Sequence, residues 1–247
     1  MLAQVGSVAD AVEALEAGVD GLIAQGREAG GHGLRSELAS GTLPLASRLV
    51  TLASSPEYQR VVVLAAGGIT DGRGLAAALA LGCDGAVMGT RLWACRESIG
   101  DPALQASLLS ADADDVVRTG VFDSIMNSYS AHPWPEPFDS VGVLKNVTWH
   151  TWHNRSRQGR RFGRNAGSNG PDDELLASSA AYKAAVRAGD PTVAGVWSGE
   201  GVGEVTEIEG AESVVRSAEV ECIRQVDMLS SRIVRTGAVA GEPTSRL

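Results

Sequence analysis

The run RVVVLA at positions 60–65 constrains this chain most. It is continuously apolar, without the alternation of a half-exposed strand, and such runs belong to parallel sheets covered on both faces. A helix is expected next, from Asp71 to Leu81 with a stop at Gly82, and then a second short strand from Gly85 to Met88. The same cadence occurs upstream. Ser7 is an N-cap for a helix reaching Ala17, Gly18 stops it, and residues 21–25 (GLIAQ) form an apolar strand. Ala14, Leu15, Gly18, Asp20 and Gly21 recur as Ala78, Leu79, Gly82, Asp84 and Gly85. Repeated strand–helix units predict an α/β fold with parallel strands and helical crossovers.

The pattern changes near residue 100, where Trp, Pro, Ser and Arg become frequent. Asp101 followed by Pro102 predicts a helix to about Ser110. Three prolines make residues 131–137 (AHPWPEP) a loop. Helices are expected at about 173–188 and 211–234, the second on the spacing of Val214, Val215, Ala218, Ile223, Val226 and Leu229. Between 141 and 170 lie Lys145, Arg155, Arg157, Arg160, Arg161 and Arg164, with no acidic residue. Trp149, His150, Trp152 and His153 are interleaved, and the stretch reads as a solvated face ending in a flexible linker from Gly163 to Gly170. The expected organisation is an α/β part over 1–100 and a mostly helical extension over 101–247, with a basic, flexible segment at about 145–170.

Charge and cysteine usage exclude several classes. Thirty acidic residues against 21 basic ones give a net charge of −9, which argues against nucleic acid as partner, since phosphate-backbone affinity rests on Lys and Arg. Cys83, Cys95 and Cys222 make neither a disulfide framework nor a zinc motif. A reducing, cytoplasmic location and no bound metal are therefore expected. No run of about 20 apolar residues suggests a membrane span.

Three loops carry the chemistry. Each follows an apolar strand, where α/β proteins place their sites. The first runs from Gln25 through Gly30 and Gly31 to His32 and Gly33. The second contains Gly67 and Gly68, and the third Gly89, Thr90 and Arg91. Glycines allow a ligand close to the backbone and present N–H donors, and two successive loops of this kind resemble a phosphate grip. Residues 72–77 match G-x-G-x-x-A, but they sit several positions past the strand end, so a dinucleotide fingerprint is set aside.

Together the motifs QGREAGGH (25–32), AGGITDGRG (66–74) and MGTR (88–91) with Glu97 and Ser98 closely resemble the nitronate monooxygenase family, once called 2-nitropropane dioxygenases. Residues 181–185 and 194–203 resemble its C-terminal extension. The resemblance implies an FMN-dependent TIM barrel that oxidises nitronates or nitroalkanes with O₂. It implies that His32 is the active-site histidine and that Gly30 and Gly31 approach the flavin. Gly67, Gly68, Gly89 and Thr90 would then grip the FMN phosphate, with Gln25 lining the flavin pocket. The family's barrel has eight strand–helix units. This sequence shows three clear strands and a remnant at Leu2 to Val5, so the implied fold is the C-terminal half of a (β/α)₈ barrel, truncated at its N-terminal side. Open sheet edges would invite homo-oligomers. Two other readings compete: a flavin-dependent enoyl-acyl-carrier-protein reductase, which shares the Gly-Gly-His and Gly-Thr-Arg loops, and a catalytically silent half-barrel that acts as a fragment or assembly partner.

Overall fold

The computed structural model describes residues 1–58, 61–157 and 173–232. Four parallel strands form the first sheet: β1 (Leu2–Val5), β2 (Gly21–Gln25), and, further along the chain, β4 (Val62–Ala66) and β5 (Gly85–Val87), in the order β1-β2-β4-β5. The short β3 (Gly31–Gly33) lies outside this sheet. Helix α1 (Val8–Glu16) joins β1 to β2, α2 (Thr42–Ala53) precedes β4, and α3 (Gly72–Ala80) joins β4 to β5. The fold is thus α/β with a parallel sheet. What sequence shows as a remnant is a full strand, with Leu2 to Val5 paired in register to Gly21 to Ala24.

Local chemistry explains the element ends. Ser7 and Asp10 form a reciprocal capping box on α1, with both bonds at 3.2 Å. The Asp71 carboxylate caps α3 by accepting from the Arg73 and Gly74 amides. The repeated Gly-x-Asp turn does the same job twice. Gly18 and Gly82 both end helices at positive φ, 82° and 92°. The Asp84 carboxylate then accepts from the Val63 amide at 2.8 Å, while the Asp20 carboxylate holds the Met1 ammonium.

Register divides the sheet into two faces. Leu22, Val63, Ala24 and Ala65 point toward the helices and pack with Ala11, Leu15, Leu45, Leu49 and Ala78. The opposite face carries Leu2, Ile23, Val62, Leu64 and Val87. Leu2, Val62 and Val87 remain exposed at 51%, 39% and 36%. A parallel sheet bare on one apolar face, with β1 and β5 as open edges, departs from the usual double coverage.

After β5 come α4 (Gly89–Trp93), α5 (Pro102–Leu108), strand β6 (Val116–Thr119), α6 (Val121–Asn127), strand β7 (Ser140–Leu144), α7 (Val147–Arg157), α8 (Asp173–Ala188) and α9 (Ala211–Arg232). The helices at 101, 173 and 211 fall where sequence places them. The second half also contains strands that its pattern hides. β7 is buried along its whole length and pairs antiparallel with both β3 and β6. It centres a second sheet, β3-β7-β6, so the His-bearing loop of the first half contributes an edge strand to the second. Residues 147–157 of the basic segment are helical rather than a flexible stretch, because Asn146 holds the amide of Trp149 and Trp152 is buried beside Val141 and Val143. Arg160, Arg161, Arg164 and the Gly163 to Gly170 linker lie outside the described residues. Helix α9 buries Val214, Ala218 and Cys222 against α3 and leaves Val215, Ile223, Val226 and Leu229 exposed. Among the described residues no helix is long and apolar enough to cross a membrane, and no cluster of metal-ligating side chains occurs.

Candidate active site

The carboxyl ends of β2, β4 and β5 border one cavity of about 290 Å³. Gln25, Gly30, Gly31, Gly67, Gly68, Gly89 and Thr90 all line it. Sequence reasoning missed Gln4, Thr70 and Trp93, which also line it, and the segment from the far end of the chain that closes it, with Trp197, Gly199 and Gly201. The composition of 194–203 signals only a Gly-rich loop. Its place over the pocket comes from β7, where Val143 bridges to Trp197 and the Ser198 amide bonds Gly142.

The loop glycines divide into two kinds. A Cβ on Gly30 would lie 2.7 Å from the Gly199 nitrogen and the Ser198 carbonyl carbon, so Gly30 permits close packing of two backbones. A Cβ on Gly67 would lie 2.6 Å from the Thr42 hydroxyl oxygen. Gly31, Gly68 and Gly89 differ, since a Cβ on any of them would meet no atom within 4 Å. Gly31 and Gly68 also hold φ values of 69° and 68°, which L side chains seldom adopt. These three leave open space on the cavity side, where a ligand can approach the main chain. The volume falls just below the usual range for ligand sites, roughly 300–1,000 Å³, and Val87 of the bare sheet face lines it.

His32 stands beside the cavity on β3. Its Nε2 lies 2.7 Å from Oδ1 of Asp123 on α6. That carboxylate is 1% exposed, and its Oδ2 has no hydrogen-bond partner among the described residues. An ionised carboxylate only accepts, so Nε2 is the donor, and in the neutral imidazole Nδ1 is left as the acceptor. The imidazole stacks on Trp134 with ring centroids 4.1 Å apart and 15° between planes. Trp197 is tilted against it at 6.2 Å. The Gln25 amide donates to the His32 carbonyl at 2.8 Å, tying the end of β2 to the histidine.

Two part-buried groups hold the loop that precedes His32. The Arg118 guanidinium on β6 donates to the carbonyls of Arg27, Ala29 and Ser140 at 3.1, 2.7 and 3.1 Å. Burial lowers its pKa, opposed by the charges of Glu28 and Glu200. Glu28 accepts from the Thr42 amide and hydroxyl, each at 3.0 Å, and so caps α2 from outside the helix. Behind the site, burial pushes the Tyr182 phenol up to about 12, while its oxygen accepts from the Gly195 amide at 3.1 Å.

Parallel strands, a pocket at their carboxyl ends and glycine loops open to a ligand define the class, a unit of the TIM-barrel flavoenzyme kind. The model of the family described as nitronate monooxygenase matches residues 1–219, and the chain belongs to that family. A nitronate monooxygenase of Neurospora crassa is 30% identical over 92% of this chain and 55% of its own length. Among solved structures, nitroalkane oxidase from Streptomyces ansochromogenes superposes with a TM-score of 0.68 at 26% identity, covering 92% of this chain and 58% of that one. FabK from Thermotoga maritima gives 0.68 at 25% identity, over 94% and 63%. The chain spans about half the length of the curated relatives it matches.

Proposed function

We propose that this chain carries the histidine and phosphate-grip side of an FMN-dependent enzyme that oxidises nitronates or nitroalkanes with O₂. The observation that carries this reading is His32, fixed through Nε2 on a buried carboxylate beside a cavity lined by open glycines. Gly31 would face the flavin ring, and Gly68, Gly89 and Thr90 would hold the phosphate. Gly30 and Gly67 shape the loops through their packing. When bound, FMN supplies the redox chemistry with oxygen; the protein supplies placement and proton handling.

The proton step follows from the imidazole's two nitrogens. Nδ1 accepts the α-proton of a nitroalkane as the carbanion becomes a nitronate. The imidazolium then carries a positive charge that Asp123 faces at Nε2. The same charge favours an anionic nitronate next to it. Trp134 covers one imidazole face, and with Nε2 held by Asp123 the exchange runs through Nδ1. The strand order and the bare apolar face support a half-barrel whose remaining wall comes from four further strand–helix units. The open edges at β1 and β5 would receive them.

A visible spectrum of the purified chain with FMN, alone and joined to those units, tests the reading. Flavin retained by the completed protein and bleached anaerobically by an alkyl nitronate, with bleaching lost in His32→Ala, is the expected result. Bleaching by NADH with an enoyl thioester as acceptor, and none by nitronate, would move the assignment to an enoyl reductase. No retained flavin in the completed protein would leave a silent half-barrel.

A further inference from the structure

We propose that Trp134 is a specificity-determining residue, the outer wall that restricts substrate to one edge of the His32 imidazole. The proposal deepens the reading of His32 as the proton acceptor and rests on it.

Trp134 is 49% exposed and belongs to none of the apolar cores. An indole of this size left half in water needs a reason other than core packing. Among the described residues its ring contact is the His32 imidazole, stacked face to face. The loop is built to hold it there. Pro133 and Pro135 flank the residue, and a following proline restricts Trp134 to extended backbone, which lowers the entropy of holding it. The amide of Phe138 bonds the Pro135 carbonyl at 2.8 Å and closes the turn. Arg35, three positions beyond His32, then staples the loop to the histidine's own strand. It makes two bonds of 2.7 Å to Asp139, an ion pair of 3.0 Å to Glu136, and an amide bond to the Pro137 carbonyl.

The consequence for the imidazole is geometric. Trp134 stacks on one ring face, Trp197 lies tilted 6.2 Å away, and Asp123 occupies Nε2. The His32 side chain keeps 19% exposure. With Nε2 engaged, Nδ1 is the nitrogen left for substrate, whose alkyl group must fit beside the indole while its α-carbon meets that edge. Substrates with bulky or branched chains at the α-carbon would strike Trp134 first.

The test needs neither flavin nor nitronate in its first arm. Diethylpyrocarbonate acylation would be followed at each of the four histidines by peptide mass spectrometry, in the chain as it stands, in Trp134→Ala and in Trp134→Phe. Loss of the stacked face should raise the His32 acylation rate about fivefold or more in Trp134→Ala, with Trp134→Phe near the parent because an aromatic face remains. His150 and His153, outside that loop, serve as internal standards for global unfolding. In the second arm, the completed, flavin-loaded protein is compared on nitronates of increasing chain size. Trp134→Ala should shift the kcat/KM ratio toward the larger substrate by about tenfold, the scale of one or two methylenes in a pocket. A His32 acylation rate within about twofold of the parent in Trp134→Ala overturns the wall. A raised rate with an unchanged substrate ratio overturns its role in specificity. Neither result bears on whether FMN and nitronate are the ligands, which the spectrum above decides.

Discussion

Gly30 and Gly89 both line the cavity, yet they should respond to alanine in opposite ways. A methyl on Gly30 would sit 2.7 Å from two backbone atoms of Ser198 and Gly199. Carbon atoms prefer about 3.5–4.0 Å, so the overlap is roughly 0.8 Å at each contact. The obstructing backbone has little room to yield. Ser198 donates to the Gly142 carbonyl, Gly199 to the Thr90 hydroxyl, and Glu200 to the Glu28 carbonyl. Overpacking costs about 1–3 kcal/mol in general, and a pinned backbone puts Gly30→Ala at the upper end. At about 2–4 °C per kcal/mol for a chain of this size, Tm should fall by roughly 6–12 °C. A methyl on Gly89 meets nothing within 4 Å and involves no positive φ, so its effect on stability should stay within about 0.5 kcal/mol. Its methyl projects toward the proposed phosphate, so FMN affinity in the completed protein should drop about tenfold or more, from the loss of close backbone approach. Thermal melts without flavin and FMN titrations separate the two variants. A Gly30→Ala protein that melts within 2 °C of the parent would falsify the packing argument, and unaltered FMN affinity in Gly89→Ala would remove that residue from the grip.

Other outcomes follow from the same structure. Asp123→Asn keeps the side-chain volume but can donate to Nε2, which moves the imidazole hydrogen to Nδ1. Turnover by the completed enzyme should fall by about 10²–10⁴, the scale of general-base catalysis, and ¹⁵N chemical shifts of His32 should report the exchanged tautomer; unchanged shifts count against the dyad. Tyr182 ionises near 10 when unfolded and at about 12 when folded. Its stabilising effect is therefore complete below pH 10 and lost as pH rises through 12, about 3 kcal/mol in all. Tyr182→Phe should flatten that alkaline limb of a Tm-against-pH curve, and an identical limb in both proteins refutes the assignment. Arg118→Met strands three carbonyls that the guanidinium now serves. Two of the three bonds are part-buried and one is exposed, and a net hydrogen bond is worth about 0.5–1.5 kcal/mol, so urea denaturation should show a loss of about 1–2 kcal/mol; no loss would mean that water serves those carbonyls equally well.

How much of this could be read beforehand depended on whether the signal was local. β2 and β4 are apolar runs, and α1 and α3 carry their caps in sequence, so the parallel sheet was legible down to its Gly-x-Asp turns. β3 could not be, because Gly31, His32 and Gly33 have no strand propensity and are extended only through pairing with β7. β7 itself lies beside a proline-rich loop and next to a basic run that drew attention away from it. The glycines of the three loops were found as a group. Which of them are open to a ligand depends on neighbours such as Thr42 and Ser198, which spacing along the chain does not reveal. Asp123 belongs to no motif and meets His32 across 91 positions, so only the fold discloses it.

That separation bears on the order of events during synthesis. His32 leaves the ribosome about a hundred positions before its strand partner Val141 and its carboxylate Asp123. Contacts this distant along the chain form slowly, because the loop between them must close first. Until β7 is in place the imidazole has neither a fixed tautomer nor a fixed direction, and the glycine loop has no floor. A half-folded chain therefore holds an undirected histidine, and the last sheet to assemble acts as the site's safety catch.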